Sequence, residues 1–127
     1  MKTKNSELII ITKMKKLIEY IFIITEKSPK KYRFTLVDRM YNLSIDALYC
    51  LYKANNIKLG DNNRLEQQEN ARVNLQMLDA VTNISYEAKC VTFSQYSHIG
   101  EYINECLTLL SKWIKSDENR VKQNKTV

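Results

Sequence analysis

Thirteen residues of this chain, SPKKYRFTLVDRM (28–40), hold four cations, Lys30, Lys31, Arg33 and Arg39, together with the chain's one proline. Ammonium and guanidinium groups at this density suit charge-assisted hydrogen bonds to phosphate, where a guanidinium can bind two oxygens at once. Lys13 and Lys16, on the polar side of the preceding apolar run, extend the same candidate set. A structural reading competes. Basic residues just past a helix C-terminus complement its dipole, Arg39 can pair with Asp38 or a neighbouring helix, and Lys13 and Lys16 can form a solvated face. At this level both readings stay open.

Charge distribution bears on the choice. Residues 1–58 hold twelve Lys/Arg against five Asp/Glu, for +7, and residues 59–127 hold eight against nine, for −1. An excess on one half of a small chain attracts polyanions such as nucleic acid or an acidic membrane surface. Tyr20, Tyr32, Tyr41, Tyr49 and Tyr52 could stack on bases, although their positions along helices fit packing or an interface better.

Other chemistry finds little footing. Cys50, Cys90 and Cys106 are widely spaced, and His98 is the single histidine. A zinc site needs about four ligands in recognisable spacing, so no metal is expected. No phosphate-binding loop, nucleophile motif or paired-carboxylate motif occurs, which reads as a non-enzyme without a cofactor. The apolar run at residues 8–24 is interrupted by Lys13, Lys15, Lys16 and Glu19. It therefore lacks the ~18–20 uncharged residues of a membrane helix, and no small-residue cleavage site follows it. A soluble, cytoplasmic chain with reduced thiols is expected.

The elements that must position the cations are helical. With 127 residues, two glycines and one proline, the chain reads as one domain of long helices and short connections. Helix 1, about residues 6–25, gathers Ile10, Ile11, Met14, Leu17, Ile18, Ile21, Phe22 and Ile24 on one arc, with Ser6 as N-cap. Helix 2, about 35–55, opens on Thr35 with Asp38 three residues on, an Asp version of the capping box. Its apolar residues fill more than half the circumference, which one face of a monomeric bundle does not need. Helix 3, about 62–88, groups Val73, Leu75, Met77, Leu78, Val81 and Ile84. Helix 4, about 94–115, carries a stripe from Ile99 to Ile114 that includes Trp113. The reading is an all-α, up-down-up-down four-helix bundle over residues 1–116, then a flexible polar tail, 117–127. The opening stretch becomes the turn between helices 1 and 2, since Pro29 pushes Ser28 out of helical conformation.

Pro29-Lys30-Lys31-Tyr32-Arg33-Phe34-Thr35-Leu36 followed by Asp38-Arg39 resembles the accessory variability determinant (Avd) proteins of diversity-generating retroelements. The end of the chain is similar too, through Tyr96, Ile99, Ile103, Leu107, Leu110 and Trp113-Ile114-Lys115-Ser116. Val37 stands where the family usually has glycine, and Ser111-Lys112 where small residues precede the tryptophan. The resemblance implies a ring-like homopentamer with a positive surface. It also implies a role: a non-catalytic accessory protein that binds RNA, DNA and the reverse transcriptase and supports cDNA synthesis in mutagenic retrohoming. The alternative is a structural or interaction bundle similar to the proteins encoded in ribosomal RNA intervening sequences, without a retroelement role.

Overall fold

A computed structural model describes the backbone of residues 2–126 and the side chains of residues 9–125. Within them lie four α-helices and no strand: α1 (Lys2–Thr25), α2 (Asp38–Asn56), α3 (Asn62–Glu87) and α4 (Phe93–Thr126). Each packs on its neighbour in sequence, and α1 closes on α4. The chain is therefore the expected all-α four-helix bundle, with the α1–α2 and α3–α4 turns together at one end.

The core follows the helical period. Ile10, Met14, Leu17 and Ile21 of α1 meet Met40, Ala47 and Leu51 of α2, Leu75 and Leu78 of α3, and Ile99, Ile103, Leu110 and Trp113 of α4. Some expected core positions are instead exposed. Phe22 lies at the α1–α2 edge, its ring 6.0 Å from that of Tyr41. On α3, Leu75, Leu78 and Val81 are buried while Val73, Met77 and Ile84 are exposed. At 100° per residue these two sets lie on different sides of the helix, so the residues grouped from the sequence form two faces.

Helix 1 begins at Lys2, so Ser6 lies inside it rather than capping it, and the Ser6 side chain is outside the described residues. Thr35 does not cap helix 2 either. Residues Lys30–Tyr32 form a 3-10 turn and Arg33–Val37 a π-helical turn that runs straight into α2. Val37 is already helical, at φ −64° and ψ −49°, so there is no break for a cap to close. The Thr35 hydroxyl donates to the Tyr32 carbonyl at 3.4 Å.

The α3–α4 turn is a Schellman motif. The Cys90 amide donates to the Ser85 carbonyl at 2.8 Å and the Lys89 amide to Tyr86 at 2.9 Å. This motif needs a left-handed residue, usually glycine; here it is Lys89, at φ 64°. Thr92 and Gln95 then close a capping box on α4: Gln95 N donates to Thr92 Oγ1 at 3.1 Å, and Thr92 N to Gln95 Oε1 at 2.9 Å.

At the other end α4 runs to Thr126, past the boundary expected at residue 116. The first residues of the expected tail are anchored rather than free. Asp117 is buried and receives Arg64 Nε at 2.7 Å, Arg64 Nη2 at 3.2 Å, Gln68 Nε2 at 2.9 Å and Arg120 Nη2 at 2.8 Å. Arg64 Nη1 also donates to the Ile57 and Ala54 carbonyls, at 2.9 and 3.3 Å, where α2 ends. One guanidinium thus joins three helices.

Two outcomes are expected. Lys89→Gly should raise stability by about 0.5–1 kcal/mol in urea denaturation, because glycine adopts the left-handed region without a Cβ penalty. Asp117→Asn should cost about 3 kcal/mol, because it leaves Arg64 buried without its counter-charge. Burial alone would raise the Asp117 carboxyl, but hydrogen bonds from Arg64, Arg120 and Gln68 hold it below the ordinary carboxylate value. Its stabilising contribution is therefore complete above the unfolded value of about 3.9 and is lost as pH falls through the lower folded value. Denaturation midpoints followed downward from pH 6 should drop further for the wild type than for Asp117→Asn.

Candidate nucleic-acid interface

Four predicted cations meet at one end of the bundle. Lys30 and Lys31 lie in the 3-10 turn, Arg33 in the π-helical turn and Arg39 in the first turn of α2, and all four are exposed. None is in an ion pair among the described residues, so each keeps its donors for solvent or ligand. Lys31 Nζ lies 5.0 Å from the Tyr32 ring centroid, a cation–π contact that holds the side chain over the turn. Among the described residues Arg39 forms no ion pair with Asp38 or with a carboxylate of a neighbouring helix, so the pairing open to it in the sequence is not taken up.

The turn itself is held in place. Tyr32 Oη donates to the Ala88 carbonyl at 2.8 Å, and Ser28 Oγ to the Cys90 carbonyl at 3.0 Å. Both acceptors belong to the α3–α4 turn, so the backbone that carries the cations is tied to the bundle. Two further exposed lysines join them: Lys27 from the α1 side and Lys89 from the α3 side. Lys27 stands just before Ser28 and Pro29, and its place beside the cationic stretch is visible in the sequence. Lys89 is far from the other members along the chain, and only the helix order brings it close.

Lys13 and Lys16 sit apart from this cluster, about 18 and 14 Å back along α1 from Thr25 at 1.5 Å per residue. Lys16 is exposed, whereas Lys13 Nζ is 2.9 Å from Glu105 Oε2. The Glu105 hydrogen bond and charge raise the Lys13 pKa, so this ammonium is engaged by a neighbouring helix.

The tyrosines divide by role. Tyr20 packs on His98 and Tyr102 of α4, with ring centroids 4.7 and 6.1 Å away, and Tyr32 is an anchor. Tyr41, Tyr49 and Tyr52 are exposed along α2 beside Ile45. Burial pushes the Cys106 thiol up to about 12 and raises Cys50 and Cys90 as well, which leaves all three protonated at neutral pH and poor nucleophiles. Among the described residues, no group of three His, Cys, Asp or Glu is placed to hold a metal, and no helix is long and apolar enough to cross a membrane.

A small helical bundle with a rigid, unpaired cationic end is the class that fold and site define. The chain belongs to the bAvd-like family, whose model matches residues 8–117. The resemblance carried by the turn motif and the last helix is thus shown, and membership suggests an accessory role in a retroelement. No curated protein matches the chain. Of the two departures from the family pattern, Val37 is half-buried where the π-helical turn enters α2, and Ser111 Oγ meets Arg72 Nη1 at 3.2 Å across α3 and α4.

Proposed function

We propose that this protein is a non-catalytic accessory subunit of a diversity-generating retroelement. In this reading it works in the cytoplasm as a ring-like homopentamer that binds template RNA or cDNA and the reverse transcriptase, and so supports cDNA synthesis in mutagenic retrohoming. The observation that supports it most is the set of exposed, unpaired cations Lys30, Lys31, Arg33 and Arg39 on a turn pinned to the bundle. Phosphate contacts made by such groups are independent of sequence and weaken with salt. Lys16 would extend the surface along α1, with Lys13 contributing only if it leaves Glu105.

Two apolar stripes support assembly. Tyr41, Ile45, Tyr49 and Tyr52 line α2 with Phe22 at their edge, and Val73, Met77 and Ile84 line α3. They belong to different helices of one chain. Pairing the first with the second on the next copy is a heterologous contact, the kind that closes into a ring. The same stripes would also suit the alternative reading, an interaction bundle without a retroelement role, so the nucleic-acid measurement decides between them.

Replacing Lys30, Lys31 and Arg33 together with glutamine should weaken single-stranded RNA binding and flatten its salt dependence, by about 0.7 log unit per log unit of salt for each phosphate that is no longer neutralised. Circular dichroism and oligomer size should be unchanged, because exposed substitutions of this kind shift stability by less than about 0.5 kcal/mol. Unaltered affinity and slope would reduce the opening stretch to a turn. For assembly, light scattering should give close to five times the 15.0 kDa chain mass, and Met77→Glu should dissociate the assembly while preserving helicity. A monomeric wild type at micromolar concentration would overturn the ring.

A further inference from the structure

Between the two turns lies a cleft of about 450 Å³. That volume is within the range of about 300–1,000 Å³ typical of small-molecule sites. Lys27 reaches it from the α1 end and Lys89 from the α3 end, and neither is in an ion pair among the described residues. Glu26 and Glu87, near them in sequence, do not line it. We propose that this cleft holds one nucleotide unit of a single-stranded nucleic acid, with its phosphate between Lys27 and Lys89 and its base against the wall made by Ile24, Pro29 and Tyr86. The inference rests on the nucleic-acid reading above and adds to it a defined subsite.

Three features carry it. The first is backbone strain at Lys89, the one non-glycine residue with positive φ among those described. Glycine would fill that position more cheaply, so the lysine there is held against a local conformational cost, as happens at binding sites. The second is the rigidity of the wall. The Tyr86 ring stacks on Tyr96 with centroids 5.3 Å apart and planes 8° apart, and meets Phe93 edge-on at 5.6 Å. A ring locked in this way offers a base an ordered surface, and stacking of this kind tolerates any base.

The third is the state of the neutral polar groups. Ser28 Oγ donates to the Cys90 carbonyl, and the capping box uses Thr92 Oγ1 and Gln95 Oε1 as acceptors of backbone amides. Recognition in the cleft therefore falls to the ammonium groups, with the Thr92 hydroxyl and the Gln95 amide NH2 as neutral donors beside them. An arrangement of that kind binds phosphate without reading a base edge. Lys30, on the neighbouring turn, would take the next phosphate along the strand.

The test uses the full-length protein and a dodecamer of oligouridine, fluorescein-labelled for anisotropy and carrying 5-iodouridine for photocrosslinking. Crosslinks should map to the peptide containing Tyr86. The double variant Lys27→Gln/Lys89→Gln should bind about tenfold more weakly at moderate salt and lower the salt slope by about 0.7, the value for one single-strand phosphate. Lys89→Gly guards against misfolding as an explanation, since it should melt a few degrees higher and yet bind more weakly. If the double variant binds like the wild type and crosslinks fall only outside the cleft, while the Lys30/Lys31/Arg33 variant is weakened, the subsite is overturned and the broader reading survives. If the wild type does not bind the dodecamer at all, both fall.

Discussion

Two hydrogen bonds join the turns at one end of this bundle, and the candidate site depends on them. Tyr32 Oη and Ser28 Oγ donate to the carbonyls of Ala88, the C-cap of α3, and Cys90, in the turn that follows it. Each bond thus satisfies a backbone acceptor where α3 gives way to the turn and also fixes a cationic turn. The π-helical turn at Arg33–Val37 fits the same purpose. It lets the chain leave the 3-10 turn and enter α2 without an extended cap, so Lys30, Lys31 and Arg33 ride on helical backbone. A site of exposed, flexible cations loses side-chain entropy on binding, and ordering the backbone beforehand removes a further cost.

The opposite end is built on a different principle. Arg64 and Asp117 are both buried, and desolvating two charges is expensive unless every remaining hydrogen-bonding position is filled. Here the filling is nearly complete: Asp117 receives Arg64, Gln68 and Arg120, while Arg64 also takes the carbonyls that end α2 and lies 5.3 Å from the Trp113 ring. The pair acts as a latch among α2, α3 and α4 more than as a source of net stability. It leaves charge neutralised at the end where packing matters and unneutralised at the end with the basic turns.

These two ends explain which parts of the molecule are legible in the sequence. The helices are, because their apolar period is regular and their breaks at Pro29 and Gly60 are local. So is the cationic turn, whose members are nearly contiguous. Features set by partners distant along the chain are not. Asp117 sits in a run, SDENRV, that reads as solvated because Arg64 is 53 positions away. Lys89 reads as an ordinary surface lysine until the α3–α4 turn is laid beside the α1–α2 turn. Val73, Met77 and Ile84 read as core because they are apolar, although the angle per residue alone separates them from Leu75 and Leu78.

The exposed stripes on α2 and α3 and the cations at the turn become parts of one argument once copies of the chain are considered. A single turn offers only a few phosphate contacts, each weak and screened at physiological salt. A closed ring would set the same turn of every copy on one rim, since rotational symmetry keeps equivalent ends together. A strand bound by one copy would then meet the next at high effective concentration, so overall affinity could rise steeply without any stronger single contact. Such a device requires the turns to be rigid and identical in every copy. The anchors from Tyr32 and Ser28 supply that rigidity, and the apolar stripes would supply the surface for joining copies in the assembly proposed above.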